Sequence, residues 1–518
     1  MAGIHHITLI ARKVQANVDF YAGFLGLRLV KRTGGFEDAA QLHLIYGDAI
    51  GSPGTLVTFL VWEDGSPGRV GYGQPSEIAL AVPLESIGYW LTRAMTHNVA
   101  VTGPAQEFGE PVLRFHDPDG VIVKLVGVRQ ARATEPWTGS GIPAESAIRS
   151  IHAATVLTEQ PEATAQFLQH YFGCDAREQS GTITRLTSPA GDHVDVRDAS
   201  GFWSSAPGTG TIDHIAFRAD DIAAVSTVFD RLIADGADAT AIHDRKYFHS
   251  IYVREPGGSL LELASDGPGM LLDEPYETLG TKLFIPPHFE AEAENFRIVL
   301  PQFGMPGEKR FIYRDLPFIH RVHLPEEAED LTLVLLHGSA GSETSLMPLA
   351  AAAAPGARLI GLRGRSTEEG IARWFRRYGP LSFDQADIRS EAEAFNAFVE
   401  GAVEAYGLDL DRTVFIGYSN GANLLAAMMQ LHPGLVNNAV LLRAGKVLKE
   451  TPGADLSGAK ILMVVGEHDV FGAHAAGLEA DLRAAGAEID TLRIDAGHET
   501  GPLDIEAVRS WLAGFRAA

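Results

Sequence analysis

A chain of 518 residues exceeds what one hydrophobic core organises, and at about 100–200 residues per domain it should hold roughly three. Its 42 Lys+Arg against 66 Asp+Glu leave a net charge of −24, without the basic stripe that nucleic acid or an anionic membrane surface requires. A single cysteine, Cys174, excludes an internal disulfide and is expected to be a buried structural thiol.

The N-terminus lacks a basic patch followed by an apolar block and a cleavage site. The longest charge-free stretch, 413–442, is interrupted by Ser, Asn, Gln and Pro. A soluble, cytoplasmic protein is therefore expected, with small molecules as its partners. Closed homo-oligomers are the common default, and the sequence does not decide for or against one.

From the first strand onward the chain repeats itself. GIHHITLIA at 3–11 overlays TIDHIAFRA at 211–219 without a gap, so that His6 falls on His214 and His5 on Asp213. Two weaker copies, EIALAVPLE from Glu77 and SIHAATVLT from Ser150, show the same alternation of a half-buried strand. Helices VDFYAGFLG and AQFLQHYFG end in Gly26 and Gly173, glycines suited to a left-handed cap. Short strands follow, and HDPDGVIVKLV, TSPAGDHVDV and REPGGSLLELA enter the last of them through a turn. The unit reads β-α-β-β-β, four times over residues 1–265. Grouped in chain order, the first pair of modules spans 1–140 and the second 141–300.

Across the four copies the second position of the pair reads His6, Leu80, Ala153 and His214. A fixed slot in the last strand reads Thr58, Lys124, Asp195 and Glu262. Only the first and fourth copies offer a histidine, and only the fourth adds a carboxylate in register. His6, His214 and Glu262 are therefore expected to converge. Two imidazoles and one carboxylate leave coordination positions open, the facial arrangement of non-haem Fe(II) and oxygen chemistry, although Mn(II) suits the same donors.

Residues 1–300 resemble the ring-cleaving dioxygenases of the vicinal-oxygen-chelate superfamily, in particular the hydroquinone-cleaving branch. The likeness rests on IHHIT at 4–8, FYAGFLGLRLVKRT at 20–33, LHLIYGDAIGSPGT at 42–55, DHIAF at 213–217, DRKYFHSIYVREPGG at 244–258 and LFIPPHFE at 283–290. The resemblance places the metal ligands at His6, His214 and Glu262, a catalytic tyrosine beside them at Tyr252 and a substrate-side arginine at Arg245. It implies Fe(II), a small aromatic diol and O2, with ring opening beside a hydroxylated carbon. Asp213 departs from relatives that carry a second histidine there. A metal-free aromatic-binding module or a glyoxalase-like isomerase is the alternative reading of the same scaffold.

PQFGMPGEKR at 301–310 reads as a linker, and a different pattern begins at 311. LTLVLLHGSAG, TVFIGYSNGANLLAAMM and AKILMVVGEHD are apolar strands that each run into a turn or helix, as in a mainly parallel α/β sheet. GYSNG at 417–421 is G-x-S-x-G between strand and helix, the context of a nucleophile elbow. Chain order then assigns Ser419, Asp469 and His498 to a triad. The backbone N–H groups of Ser339, after His337 and Gly338, and of Asn420 are placed to form an oxyanion hole. His468 is expected to be solvated or capping.

Residues 308–516 resemble the phospholipase/carboxylesterase family of serine hydrolases, and the α/β-hydrolase domain is set at 311–518. LLHGSAGSE, GLRGR, IARWFRR and FIGYSNGAN carry the likeness. It implies an α/β-hydrolase fold acting on a small ester, with Trp374 and Phe375 as candidates to line the acyl pocket. The whole chain thus reads as a bifunctional enzyme of aromatic degradation, α+β modules followed by an α/β domain.

Overall fold

The computed structural model describes residues 3–130, 134–310 and 313–517. The chain divides into two compact units, the first made of 1–293 and 303–311 and the second of 294–302 and 312–518. The stretch 301–310 is no free spacer. Gln302 exchanges hydrogen bonds with Leu324 of the second unit, and Gly304 exchanges two with Gln15 of the first. Residues 311 and 312, where the sequence sets the start of the second part, lie outside the described residues.

The first unit holds the four expected modules. In chain order their strands are β1 Ile4–Ala11, β2 Arg28–Gly34, β3 Leu42–Gly47 and β4 Leu56–Val61; β5 Gln74–Pro83, β6 Thr102–Glu107, β7 Glu110–His116 and β8 Ile122–Val128; β9 Ser150–Thr158, β10 Ala176–Ser180, β11 Ile183–Thr187 and β12 His193–Asp198; and β13 Thr211–Ala219, β14 His243–Asp244, β15 Phe248–Arg254 and β16 Leu260–Pro268. A helix follows the first strand of each, and Gly26 and Gly173 end theirs in the left-handed conformation. In every module the first and last strands run parallel, as the crossover helix between them requires.

The modules do not share sheets in chain order. One sheet is β14-β15-β16-β13-β1-β4-β3-β2 with β17, Leu283–Phe284, at its edge, and so joins modules four and one. The other, β10-β11-β12-β9-β5-β8-β7-β6, joins modules three and two. The pairs grouped in chain order as 1–140 and 141–300 are therefore not the pairs that share sheets. Modules two and three pair through β5 and β9, which leaves the first strands of modules one and four as open edges that close on each other.

In the second unit a seven-stranded sheet runs in the order 320–323, 358–362, 332–336, 413–418, 438–442, 460–466 and 488–494, with only the first strand antiparallel. The central strands 332–336, 413–418, 438–442 and 460–466 are apolar runs buried on both faces, as parallel sheets covered by helices are. Leu333, Leu335, Val414, Ile416, Val440 and Val464 form one side of the core, with Met347, Val508 and Leu512 from helices Met347–Ala353 and Pro502–Ala517 packed on it. Cys174 is fully buried, and burial pushes its thiol up to about 12. Among the described residues no helix is long and apolar enough to cross a membrane.

Candidate active sites

His6 and His214 enter one site from β1 and β13, the two central strands of the first sheet. Each strand carries a bulge at the residue before its ligand: the register shifts between Ile4 and His6 on β1, and again where Thr8 faces His214 and Leu9 faces Ile212. A bulge suspends strict alternation. His5 is therefore not turned away. Its Nδ1 lies 2.9 Å from Nδ1 of His6, while Asp213 Oδ2 lies 2.6 Å from Nδ1 of His214. Both ligand imidazoles are held at Nδ1 and present Nε2.

Glu262 arrives from β16, which pairs in parallel with β13 so that Glu262 faces Ala216, two residues beyond His214. Its Oε2 stands 3.0 Å from His6 Nε2 and 2.9 Å from His214 Nε2, and the two Nε2 atoms are 3.4 Å apart. Donors bound at right angles with bonds of about 2.1 Å to a first-row divalent ion would be about 3.0 Å apart. The triangle therefore has the dimensions of a facial ligand set. Glu262 is fully buried, and the groups that face its oxygens are these two rings and the Tyr252 phenol. Burial alone would raise its carboxyl, but the imidazoles of His6 and His214 hold it well below the usual range.

The other sheet answers the same demand differently. Its β5 and β9 repeat both bulges, at Ser76 and His152, and Ala79 faces Ala153 as Thr8 faces His214. Glu77, not Leu80, is thus the counterpart of His6. The gapless overlay of the second copy is three residues out, because its strand begins earlier, at Gln74. Lys124 and Asp195 do occupy the counterparts of Thr58 and Glu262. Lys124 Nζ reaches Glu77 at 2.5 Å and Glu107 at 3.0 Å, and the Arg185 guanidinium grips Asp195 at 2.7 and 2.8 Å. There the protein supplies its own buried cations. At His6, His214 and Glu262, among the described residues, no lysine or arginine pairs with the carboxylate, and this difference favours an added metal cation in one cradle alone.

A cavity of about 260 Å³ opens beside the ligands, with Phe36, Ile45, Leu60, Tyr247 and Phe248 as apolar wall and Tyr252 and Arg245 on its lining. Tyr252 lies directly across from Glu262 and its ring centre is 5.4 Å from that of His214. Burial, reinforced by Glu262, raises its phenol far above the ordinary value. Arg245 pairs with Glu37 at 2.8 Å and lies near the rings of Phe36 and Tyr252. The cavity also takes in Thr33 and His43, which the sequence reading passed over. The alternation Gln41, His43, Ile45 against Leu42, Leu44, Tyr46 was the available signal.

In the second unit Ser419 sits between strand 413–418 and helix Asn420–Leu431 with φ 50° and ψ −113°, a strained turn for a residue with a side chain. Its Oγ is 2.9 Å from His498 Nε2, and His498 Nδ1 is 3.0 Å from both oxygens of Asp469. A Cβ on Gly417 would come within 2.6 Å of the Ala422 backbone, and one on Gly421 within 2.2 Å of the Leu336 carbonyl. Both glycines are close-approach positions of the elbow. Asn420 begins the helix and its Oδ1 accepts from Trp374 N. The Ser339 hydroxyl accepts from Arg373. Trp374 and Phe375 are buried, and Trp374 Nε1 donates to the His337 carbonyl, so this ring braces the loop that leads to Ser339. His468 is exposed and pairs with Asp495.

Arg443 and Asp504, also missed in the sequence, form a buried ion pair behind the triad. The guanidinium donates to the carbonyls of Gly497 and Glu499, on either side of His498.

The model of the glyoxalase/bleomycin resistance protein/dioxygenase superfamily matches residues 3–125 and 150–263. A Bacillus subtilis (strain 168) protein named "Putative ring-cleaving dioxygenase MhqO" is 38% identical over 290 residues, 56% of this chain and 92% of that protein. The chain belongs to this superfamily. Within it, "Chlorohydroquinone/hydroquinone 1,2-dioxygenase" of Sphingobium indicum is 32% identical over 302 residues, 56% of this chain and 92% of that one. The remainder matches a separate protein of B. subtilis, "Putative hydrolase MhqD", at 29% identity over 192 residues, 36% of this chain and 96% of that protein. Each part of the chain thus corresponds to nearly the whole of a different relative.

Proposed function

We propose that the chain is a bifunctional enzyme: an Fe(II)-dependent dioxygenase that opens the ring of a hydroquinone, joined to a serine hydrolase of small carboxylic esters. The observation that carries the first activity is the buried triangle of His6, His214 and Glu262, a facial donor set with no lysine or arginine on its carboxylate, facing a cavity with an aromatic and aliphatic wall. His6, His214 and Glu262 would hold a ferrous ion, which would supply the Lewis acidity and redox chemistry that activate a diol and O2. His5 and Asp213 fix the imidazoles so that Nε2 of each points inward. Phe36, Ile45 and Phe248 exclude water from the ring, and Tyr252 places a phenol proton beside the reacting oxygen. Both atoms of O2 enter the product, an open-chain semialdehyde of the muconic type.

In the hydrolase, Ser419 Oγ attacks the ester carbonyl while His498 takes its proton and Asp469 holds the imidazole in the required tautomer. The N–H groups of Ser339 and Asn420 receive the developing oxyanion. The likeness to separate dioxygenase and hydrolase relatives supports reading the two activities as distinct.

The test is O2 uptake by Fe(II)-loaded protein given hydroquinone, methylhydroquinone or catechol, beside hydrolysis of p-nitrophenyl acetate. His214→Ala should abolish uptake and spare hydrolysis, and Ser419→Ala the reverse. An iron-loaded protein that takes up no O2 with any diol overturns the ring-cleavage reading. A metal-dependent turnover without O2 would favour an isomerase in its place.

A further inference from the structure

Thr33 and His43 are direct partners across the antiparallel pair β2 and β3. Both line the cavity that holds His6, His214 and Tyr252. Thr33 Oγ1 and His43 Nε2 are each shut off from solvent without a hydrogen-bond partner, and among the described residues lining the cavity no others carry such side-chain atoms. Buried polar groups are ordinarily satisfied, so two orphans side by side on one ligand-sized wall point to a polar group of the ligand. Of the rest of the lining, Phe36, Ile45, Leu60 and Phe248 suit the faces and edges of a ring, while the polar side chains of Glu37, Asp38, Gln41 and Arg245 hold no atom that is both shut off from solvent and without a partner.

The chemistry of the pair narrows the group further. A neutral imidazole nitrogen either donates or accepts, and a threonine hydroxyl does both. Burial, with the neighbouring His6 and His214, drives the His43 imidazole down to about 3, so it is neutral in the working range. A neutral pair of this kind does not balance a carboxylate or an ammonium. A hydroxyl, which donates one hydrogen bond and accepts another, satisfies both atoms at once.

We propose that Thr33 and His43 recognise the second hydroxyl of a para-diol, the one remote from His6, His214 and Glu262, and thereby select hydroquinones over monophenols and over ortho-diols. This rests on the ring-cleavage reading for the identity of the other end of the substrate. It assigns the pair a positioning role, since the reacting atoms lie at the ligand triangle.

The experiment is anaerobic calorimetric titration of the full-length Fe(II)-loaded protein with hydroquinone, phenol and catechol, where no turnover can occur. The wild type should bind hydroquinone at least about tenfold more tightly than phenol, the worth of one well-made hydrogen bond in a buried site. Thr33→Val, which keeps shape and removes the hydroxyl, and His43→Phe should each cut that preference severalfold. His43→Gln, which keeps a side-chain donor and acceptor, should retain more of it than His43→Phe. Equal binding of hydroquinone and phenol by the wild type, or an undiminished preference in the Thr33→Val, His43→Phe double variant, overturns the assignment whatever the oxygen uptake. A wild type that shows the preference but consumes no O2 leaves the pair standing and removes the ring-cleavage reading. Thermal unfolding of the Thr33→Val protein, expected within a few degrees of wild type, separates lost recognition from lost fold.

Discussion

Asp213 Oδ2 lies 2.6 Å from Nδ1 of His214, which turns the residue that departs from the resembled pattern into the group that orients the ligand. Burial alone would lower this imidazole, but hydrogen bonds to Asp213 and Glu262 outweigh it and raise it to about 9. Without metal the ring therefore holds a proton between two carboxylates, and a metal must displace it. Apparent affinity should rise with pH, about tenfold per unit below 9 while one proton is released. Asp213→Asn should weaken metal binding about 10–100-fold, the usual cost of losing such an orienting partner. Competition against a chelator measures both. A pH-independent affinity, or an unchanged one in the variant, contradicts this role.

Lys124 tests the contrast between the two cradles. It is buried, with Glu77 at 2.5 Å and Glu107 at 3.0 Å. Lys124→Met leaves Glu77 buried without its cation and should cost about 3–5 kcal/mol, whereas adding Glu77→Gln should recover most of that loss. Urea unfolding followed by tryptophan fluorescence reads the difference. A single variant as stable as wild type would mean that the ion pair is solvated and that the cradle needs no cation.

Much of this was legible because the chain is its own comparison set. The His6 and His214 overlay and the Glu262 slot emerged from repetition, and the elbow around Ser419 from strand, pentapeptide and helix in sequence. Three things were hidden. Bulges are invisible to a period-two pattern, which sends successive side chains to opposite faces, so the contact between His5 and His6 does not follow from it. Sheet partnership depends on which edges remain open after nearer strands pair, so modules one and four could not be joined from local pattern. The second copy's register failed because Ser76 and Glu77 bear no likeness to His5 and His6, and only backbone pairing reveals the correspondence.

Gly421 packs the elbow helix against the strand that leads to His337. A Cβ there would meet the Leu336 carbonyl at 2.2 Å and the His337 carbonyl at 2.5 Å, both backbone atoms that cannot swing aside. Gly421→Ala should therefore destabilise the second unit by about 1–3 kcal/mol or more and lower ester hydrolysis well beyond the loss of folded protein, since the shift falls on Ser419. Oxygen uptake serves as the internal control and should be unchanged. Hydrolysis at the wild-type rate would show that the helix moves without cost.

The last prediction concerns the loop that carries His498. Arg443 binds Asp504 through both terminal nitrogens, at 2.7 and 3.1 Å, and spends its remaining donors on the Gly497 and Glu499 carbonyls at 2.8 and 3.1 Å. One planar group thus fixes the backbone before and after the catalytic imidazole. A lysine would bring the charge but not the fork. Arg443→Lys should therefore keep much of the fold yet lower kcat for p-nitrophenyl acetate about 10²-fold, the scale set by a displacement of about 1 Å, with little change in KM. Arg443→Met should also lose about 3–5 kcal/mol of stability, because it strands a buried Asp504 carboxylate. With His498 as the proposed base for Ser419, the lysine variant should show the same loss of kcat with phenyl acetate, whose leaving group is poorer. Wild-type kcat in Arg443→Lys would confine Arg443 to a structural part and leave the His498 loop held by other contacts.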